Sequence, residues 1–207
     1  MADVISPATE EVVGRFPVAT AADIDRAVDA ALVLARTALK SGDRCGIASY
    51  DNQVRSYLPP AAGLPYLKSL TEGVYAAKSE FLESDFGPIF STLQTRQVKR
   101  SLVVVISDVG DVETSEQFRL SLGMLARRHV VLFAALRTPA LERVLKEPVT
   151  TTLDGARQAV VFRLLREREQ AVQTLRHLGV HVLDIEPNKL TVPLVNQFIE
   201  LRLRNLA

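Results

Sequence analysis

The chain is 207 residues long, with 47 % apolar and 24 % charged residues. That is the make-up of one folded domain rather than a disordered tail. Its 25 Lys and Arg against 24 Asp and Glu leave a net charge of +1, which excludes a nucleic-acid binder working through a bulk basic field. A single cysteine, Cys45, excludes internal disulfides and a cysteine-cluster metal centre. The three histidines, His129, His177 and His181, are too scattered for a metalloprotease helix motif. The longest apolar run, Val130 to Leu136, falls far short of the ~20 residues of a membrane span. The opening residues lack the basic-then-apolar pattern of a secretory signal. The expectation is a cytoplasmic protein with no membrane span.

Taken in order, Val4-Ile5 and Val12-Val13 are short β-favouring pairs separated by turn chemistry at 6–9. Thr20 predicts an N-cap and Asp23 a first helical turn, with Ile24, Val28, Ala31, Leu32 and Ala35 on one face. Ser41-Gly42-Asp43 stops that helix. Residues 44–50, a turn at Asp51-Asn52 and residues 54–58 predict a hairpin, ended by Pro59-Pro60. Helical spacing follows at 64–77, and a shorter helix at 86–95 is opened by Ser84-Asp85. Residues 101–106 and 130–136 read as strands buried on both faces, and 180–183 as a third. Between them lie helices at about 112–128 and 153–178, the second with Leu153, Ala156, Val160 and Leu164 on its stripe. Thr191 and Pro193 open a last helix through Leu194, Phe198 and Leu201. Strands alternating with helices predict an open α/β sheet with right-handed crossovers.

Ligands of such sheets bind outside the carboxyl ends of the strands. Asp108 and Asp111 follow the 102–106 strand there, and Ser84-Asp85 stands at the mouth of a helix. Oxygen ligands on converging loops suit a hard cation such as Mg²⁺. The competing reading makes Ser84 or Asp85 an N-cap and Asp111 the cap of the next helix, and caps are the commoner use. Neither a G-x-G-x-x-G turn after a strand nor a G-x-x-x-x-G-K-[ST] loop is present, so no nucleotide phosphate cradle is expected. Cys45 reads as a structural thiol, since no base is arranged to activate it. His129 reads as a helix-end residue complementing the dipole, and Arg96, Lys99 and Arg100 as a solvated helix end. Leu58-Pro59-Pro60-Ala61 reads as a turn. The chain is expected not to be an enzyme and to need no cofactor.

Several phrases carry a resemblance. They include residues 30–35 with 39–44, Tyr50-Asp51-Asn52-Gln53-Val54-Arg55, Glu83-Ser84-Asp85 and the 101–108 run ending in Asp108. Residues 125–129, Ala135-Leu136-Arg137, 179–184 and Leu194-Val195-Asn196 continue it. Over about residues 29–207 the chain resembles a von Willebrand factor A-like family of unknown function that accompanies MoxR-type AAA+ ATPases in bacteria. Residues 4–15 and 19–28, in contrast, are similar to the start of aldehyde dehydrogenases, without any of that family's catalytic or cofactor-binding residues. A join within Asp25-Arg26-Ala27-Val28-Asp29-Ala30-Ala31 divides the chain into a segment 1–28 and a domain 29–207.

The first resemblance implies an open Rossmann-like, von Willebrand factor A-type sheet flanked by helices. The family's first central strand, with its Asp-x-Ser-x-Ser loop, has no counterpart before the first helix. Residues 11–16 could occupy its place, although a hairpin on an edge costs less than burying Glu11 or Arg15. Of the family's metal site only Ser84 and Asp108 are matched, a degenerate set too small for octahedral Mg²⁺. The implied function is non-catalytic protein interaction with a MoxR-type ATPase in protein remodelling or complex assembly, through a face of Ser84, Asp85, Asp108 and Asp111. The alternatives are a fusion fragment without independent function and an aldehyde dehydrogenase-type oxidoreductase.

Overall fold

The computed structural model describes residues 2–5, 12–16, 21–50, 53–76, 87–107 and 116–204. It is an α/β fold. Strands β1 (Ala2–Ile5) and β2 (Val12–Phe16) form an antiparallel pair. Helix α1 (Ala21–Lys40) leads to a second antiparallel pair, β3 (Cys45–Tyr50) and β4 (Val54–Ala61). Helices α2 (Tyr66–Ala76) and α3 (Gly87–Arg96) follow. The rest alternates: β5 (Leu102–Ser107), α4 (Glu116–Arg128), β6 (Val130–Leu136), α5 (Pro139–Val144), α6 (Thr152–His177), β7 (His181–Ile185) and α7 (Thr191–Leu203). Strands β5, β6 and β7 form a parallel sheet in that spatial order, with Val104 opposite Leu132 and Leu132 opposite His181.

The apolar run 130–136 explains why β6 is the middle strand. A parallel strand flanked on both edges and covered on both faces has no polar side to offer. Alternate residues feed two cores. Val131, Phe133 and Ala135 meet Ile89 and Phe90 of α3, Phe118, Leu122 and Leu125 of α4, and Ala171, Val172 and Leu175 of α6. Val130, Leu132 and Ala134 meet Ala30, Leu34 and Ala38 of α1 and Leu194, Phe198 and Leu201 of α7. Two glycines make sharp exits from helices. Gly42 (φ 86°) and Gly179 (φ 81°) adopt the left-handed backbone that side-chain-bearing residues resist. Past the first, the N–H of Asp43 donates to Ala38 O at 3.0 Å, closing the end of α1. Arg202 of α7 then ties down the same turn, with its Nε 2.8 Å from Asp43 and its Nη2 2.9 Å from Ser41 O.

Four expectations need correction. The buried stripe of α1 is Ala30, Leu34 and Ala38 with Ala35 and Leu39 beside it, while Ile24 is exposed. Close approach to α7 and α2 selects the small residues. In α6 the stripe lies elsewhere, on Val161, Ala171, Val172 and Leu175, with Leu153 exposed. Val160, Val161 and Leu165 of α6 pack against α5, which has no counterpart among the predicted elements. A capping box starts α6: Asp154 N–H donates to Thr151 Oγ1 at 3.1 Å, and Thr151 N–H donates back to Asp154 at 2.8 Å. Finally, Pro59-Pro60 does not end β4. The strand runs through to Ala61, whose partner is Cys45. An edge strand tolerates missing donors, and a bulge opposite is fitted by Gly46, where a Cβ would lie 2.5 Å from Leu58 O. The predicted Thr20 cap and Asp51-Asn52 turn lie outside the described residues.

Candidate functional site

The carboxyl edge of the parallel sheet is where loop chemistry collects. Strand β5 delivers Ser107 to it, β6 delivers Leu136 and Arg137, and β7 delivers Asp184 and Ile185. Ser84, Asp85, Asp108 and Asp111 lie outside the described residues, so their convergence as a metal or interaction face has no geometry to report. Ser107 is the last residue of β5 and the last described residue before the segment that holds Asp108.

Between β6 and β7 the edge is stapled. Arg137 N–H continues the ladder by donating to Ile185 O at 2.8 Å. Its guanidinium grips Asp184 through two bonds, Nε to Oδ1 at 3.0 Å and Nη2 to Oδ2 at 3.2 Å. Arg168, reaching down from α6, places Nη1 3.0 Å from Asp184 Oδ1. Its Nη2 donates to the carbonyls of Ala135 and Leu136, both at 3.1 Å. Glu142 of α5 stands 3.9 Å from Arg137. Burial alone would raise the Asp184 carboxyl, but the Arg137 hydrogen bond and the charges of Arg168 and Arg137 outweigh it and hold it below its ordinary value. The cluster fixes α6 onto the ends of β6 and β7 and gives the carbonyls of Ala135 and Leu136 a charged donor.

This cluster was not singled out from the sequence, although a signal existed. Arg137 directly follows the predicted strand 130–136, and Asp184 directly follows the predicted strand 180–183. Opposite charges at the same end of adjacent parallel strands predict a pair. Arg168 offered no such signal, since only the run of α6 over the sheet brings it there.

The other singled-out residues separate clearly. Cys45 is half-buried at the seam between α1 and α2, and burial pushes its thiol up to about 11, so it is a protonated packing group at neutral pH. Lys99 and Arg100 are exposed, and Arg96 places its guanidinium 5.1 Å from the centre of the Tyr57 ring. An open hollow of about 530 Å³ beside α2, lined by Leu64, Leu67, Lys68 and Thr71 among others, shares no residue with the carboxyl edge. Among the described residues no group of three or more His, Cys, Asp or Glu could hold a metal ion, and no helix is long and apolar enough to cross a membrane.

His129 corrects a further expectation. It does not complement the α4 dipole as a cation: it is only 4 % exposed, and neither ring nitrogen has a hydrogen-bond partner among the described residues. Burial first, and the neighbouring Arg128 second, lower its pKa. A histidine held neutral by folding costs stability once the unfolded chain can take up the proton. Stability is therefore expected to fall as pH drops below the free-histidine value of ~6.5 and to level off below the depressed folded value. Urea midpoints between pH 7.5 and 5 check this, and His129→Leu is expected to flatten the decline. An equally steep decline in that variant would assign the effect elsewhere.

An open α/β sheet with a charge-stapled carboxyl edge defines the class of this protein. The model of a protein family of unknown function, DUF58, matches residues 14–177, and the chain belongs to that family. The match starts within the segment 1–28 and stops at the end of α6. No curated protein and no solved structure matches the chain.

Proposed function

We propose that the chain is a non-catalytic protein-interaction domain that acts with a MoxR-type AAA+ ATPase in the cytoplasm, and that the loops at the open part of the carboxyl edge, with Ser84, Asp85, Asp108 and Asp111, receive the partner. Family membership across more than three quarters of the chain carries this reading, because the DUF58 family is the companion of those ATPases. The edge geometry supports it in a second way. At β6 and β7 the polar groups are spent on one another, in the Arg137–Asp184–Arg168 cluster. The β5 end, which leads to Asp108, is the part of the edge outside that cluster. Ser84 and Asp108 supply two side-chain oxygens, too few to hold Mg²⁺ against water.

The test is capture of a purified MoxR-type ATPase by the immobilised chain, with and without Mg²⁺. Wild-type capture is expected to survive EDTA, and Asp108→Ala is expected to weaken it about tenfold, the scale of one lost charged contact. Unchanged capture by Asp108→Ala would remove the edge from the interaction. No capture by the wild type would end the reading.

A further inference from the structure

Strands β5, β6 and β7 run parallel, so the helices that lead into them all end at the edge opposite the candidate site. At this amino edge α3 ends before β5, α4 before β6 and α6 before β7. Helix α7 returns to it from β7, and Arg202 there meets the end of α1, with its Nε 2.8 Å from Asp43. The five helix ends and the loops that leave them are residues 37–44, 93–101, 125–129, 174–180 and 200–204. They hold ten Lys and Arg against two carboxylates, in a chain whose net charge is +1. Asp43 is taken by Arg202 and Glu200 by Arg204. The other eight cations are exposed, and none has an ion-pair partner among the described residues.

The usual role of a cation at a helix end does not cover this excess. A cation in the last turn complements the dipole, and the effect fades beyond that turn. Arg127 and Arg128 of α4 fit that role. Arg44, Lys99 and Arg100 lie past the ends of α1 and α3 and do not. Two apolar side chains also stand out from this edge. Val98 is 72 % exposed beside Lys99 and Arg100, and Leu203 is 76 % exposed between Arg202 and Arg204. No other large apolar side chain among the described residues is as exposed, and water alone gives neither a reason to be there.

We propose that the amino edge docks on the surface of an anionic lipid bilayer. Basic residues seek the lipid phosphates, and aliphatic side chains among them enter the boundary between headgroups and acyl chains. Other polyanions fit less well. The five segments contain no Phe, Tyr or Trp on which nucleic-acid bases could stack. An acidic peptide follows one line, whereas these cations stand on both sides of the sheet. Helices α3, α4 and α6 end on one face, and α1 and α7 on the other. A plane reaches both rows. Docking in this way turns the carboxyl edge away from the bilayer and leaves it open to a protein partner, so the proposal stands whatever docks there.

Co-sedimentation of the full chain with phospholipid vesicles at about 0.1 M salt tests it. The chain is expected to bind vesicles of phosphatidylcholine with about one third phosphatidylserine, to ignore phosphatidylcholine alone, and to be released as salt rises. Lys99→Gln with Arg100→Gln is expected to lower binding about thirtyfold, the loss for two cations at an anionic surface. Arg143→Gln with Arg166→Gln removes the same charge from exposed positions on α5 and the middle of α6 and is expected to change nothing. Val98→Ser with Leu203→Ser is expected to weaken binding about tenfold at an unaltered salt dependence, because apolar insertion carries no counterion term. All six positions are exposed, so the folded chain is what each variant reports on. Equal losses from the two charge pairs would reduce the effect to net charge and overturn the proposal. Tighter binding to duplex DNA or to polyglutamate than to the anionic vesicles would give the face to another partner, and no binding to those vesicles would end the lipid reading.

Discussion

Phe133→Ala is expected to destabilise the fold by about 4 kcal/mol, in the range found when a fully buried aromatic ring is truncated. Phe133 is 0 % exposed on the central strand, and its ring meets that of Phe118 edge to face, with centroids 6.4 Å apart and planes at 80°. Phe118 in turn lies 5.6 Å from Phe90. One truncation thus opens a cavity where β6, α4 and α3 converge, and no neighbour on a middle strand can collapse into it. A drop in urea midpoint at unchanged slope is the signature of lost stability alone. A loss under 2 kcal/mol would mean that this core is loosely packed. Against the 5–15 kcal/mol typical of a whole domain, the expected loss takes a large share of what holds the sheet together.

Asp184→Ala is expected to cost about 3 kcal/mol, at the low end for breaking a buried charge pair because the site is partly solvated. The two arginines it leaves behind differ. Arg168 has a side chain 17 % exposed and stays fixed to two carbonyls, so it keeps a poorly solvated charge. Arg137 is 41 % exposed and can turn to water or Glu142. Arg137→Ala is therefore expected to cost under about 1 kcal/mol, as surface pairs do. Equal losses from the two variants would refute the asymmetry. The acid limb follows from the same geometry. The Asp184 carboxyl titrates below its ordinary value. Its stabilisation is thus complete above the unfolded carboxylate value of ~3.9 and is lost as pH falls through the depressed folded one.

The contrast between β6 and α6 shows what was legible in the sequence. The run 130–136 is apolar at every position, and the observed strand has those same bounds. Period and length agree there, and burial on both faces follows. Helix α7 was equally readable, since Leu194, Phe198 and Leu201 are its buried residues. The existence of α6 was legible from its length, but its buried stripe was not. Val161 packs on α5 while Ala171, Val172 and Leu175 pack on the sheet, so the helix has two environments that a single periodicity cannot describe. Strand β4 misled for another reason: Pro59-Pro60 signals a stop only where both edges must be bonded. The candidate site was legible as an edge and not as a set of contacts. Arg137 and Asp184 come from strand ends 47 residues apart, and only pairing in register makes them neighbours.

The half-buried thiol of Cys45 gives the chain a native gauge of its own opening. The residue starts β3, faces Ala61 across the hairpin and packs between two helices. With its pKa at about 11, a maleimide or iodoacetamide reagent at pH 8 finds almost no thiolate while β3 is packed under the helices. The same thiol returns to ordinary reactivity once β3 leaves the helices that bury it. Being the single cysteine in the sequence, it reports that one event without any label being engineered, and its alkylation rate reads the free energy of separating the hairpin from the helices above it.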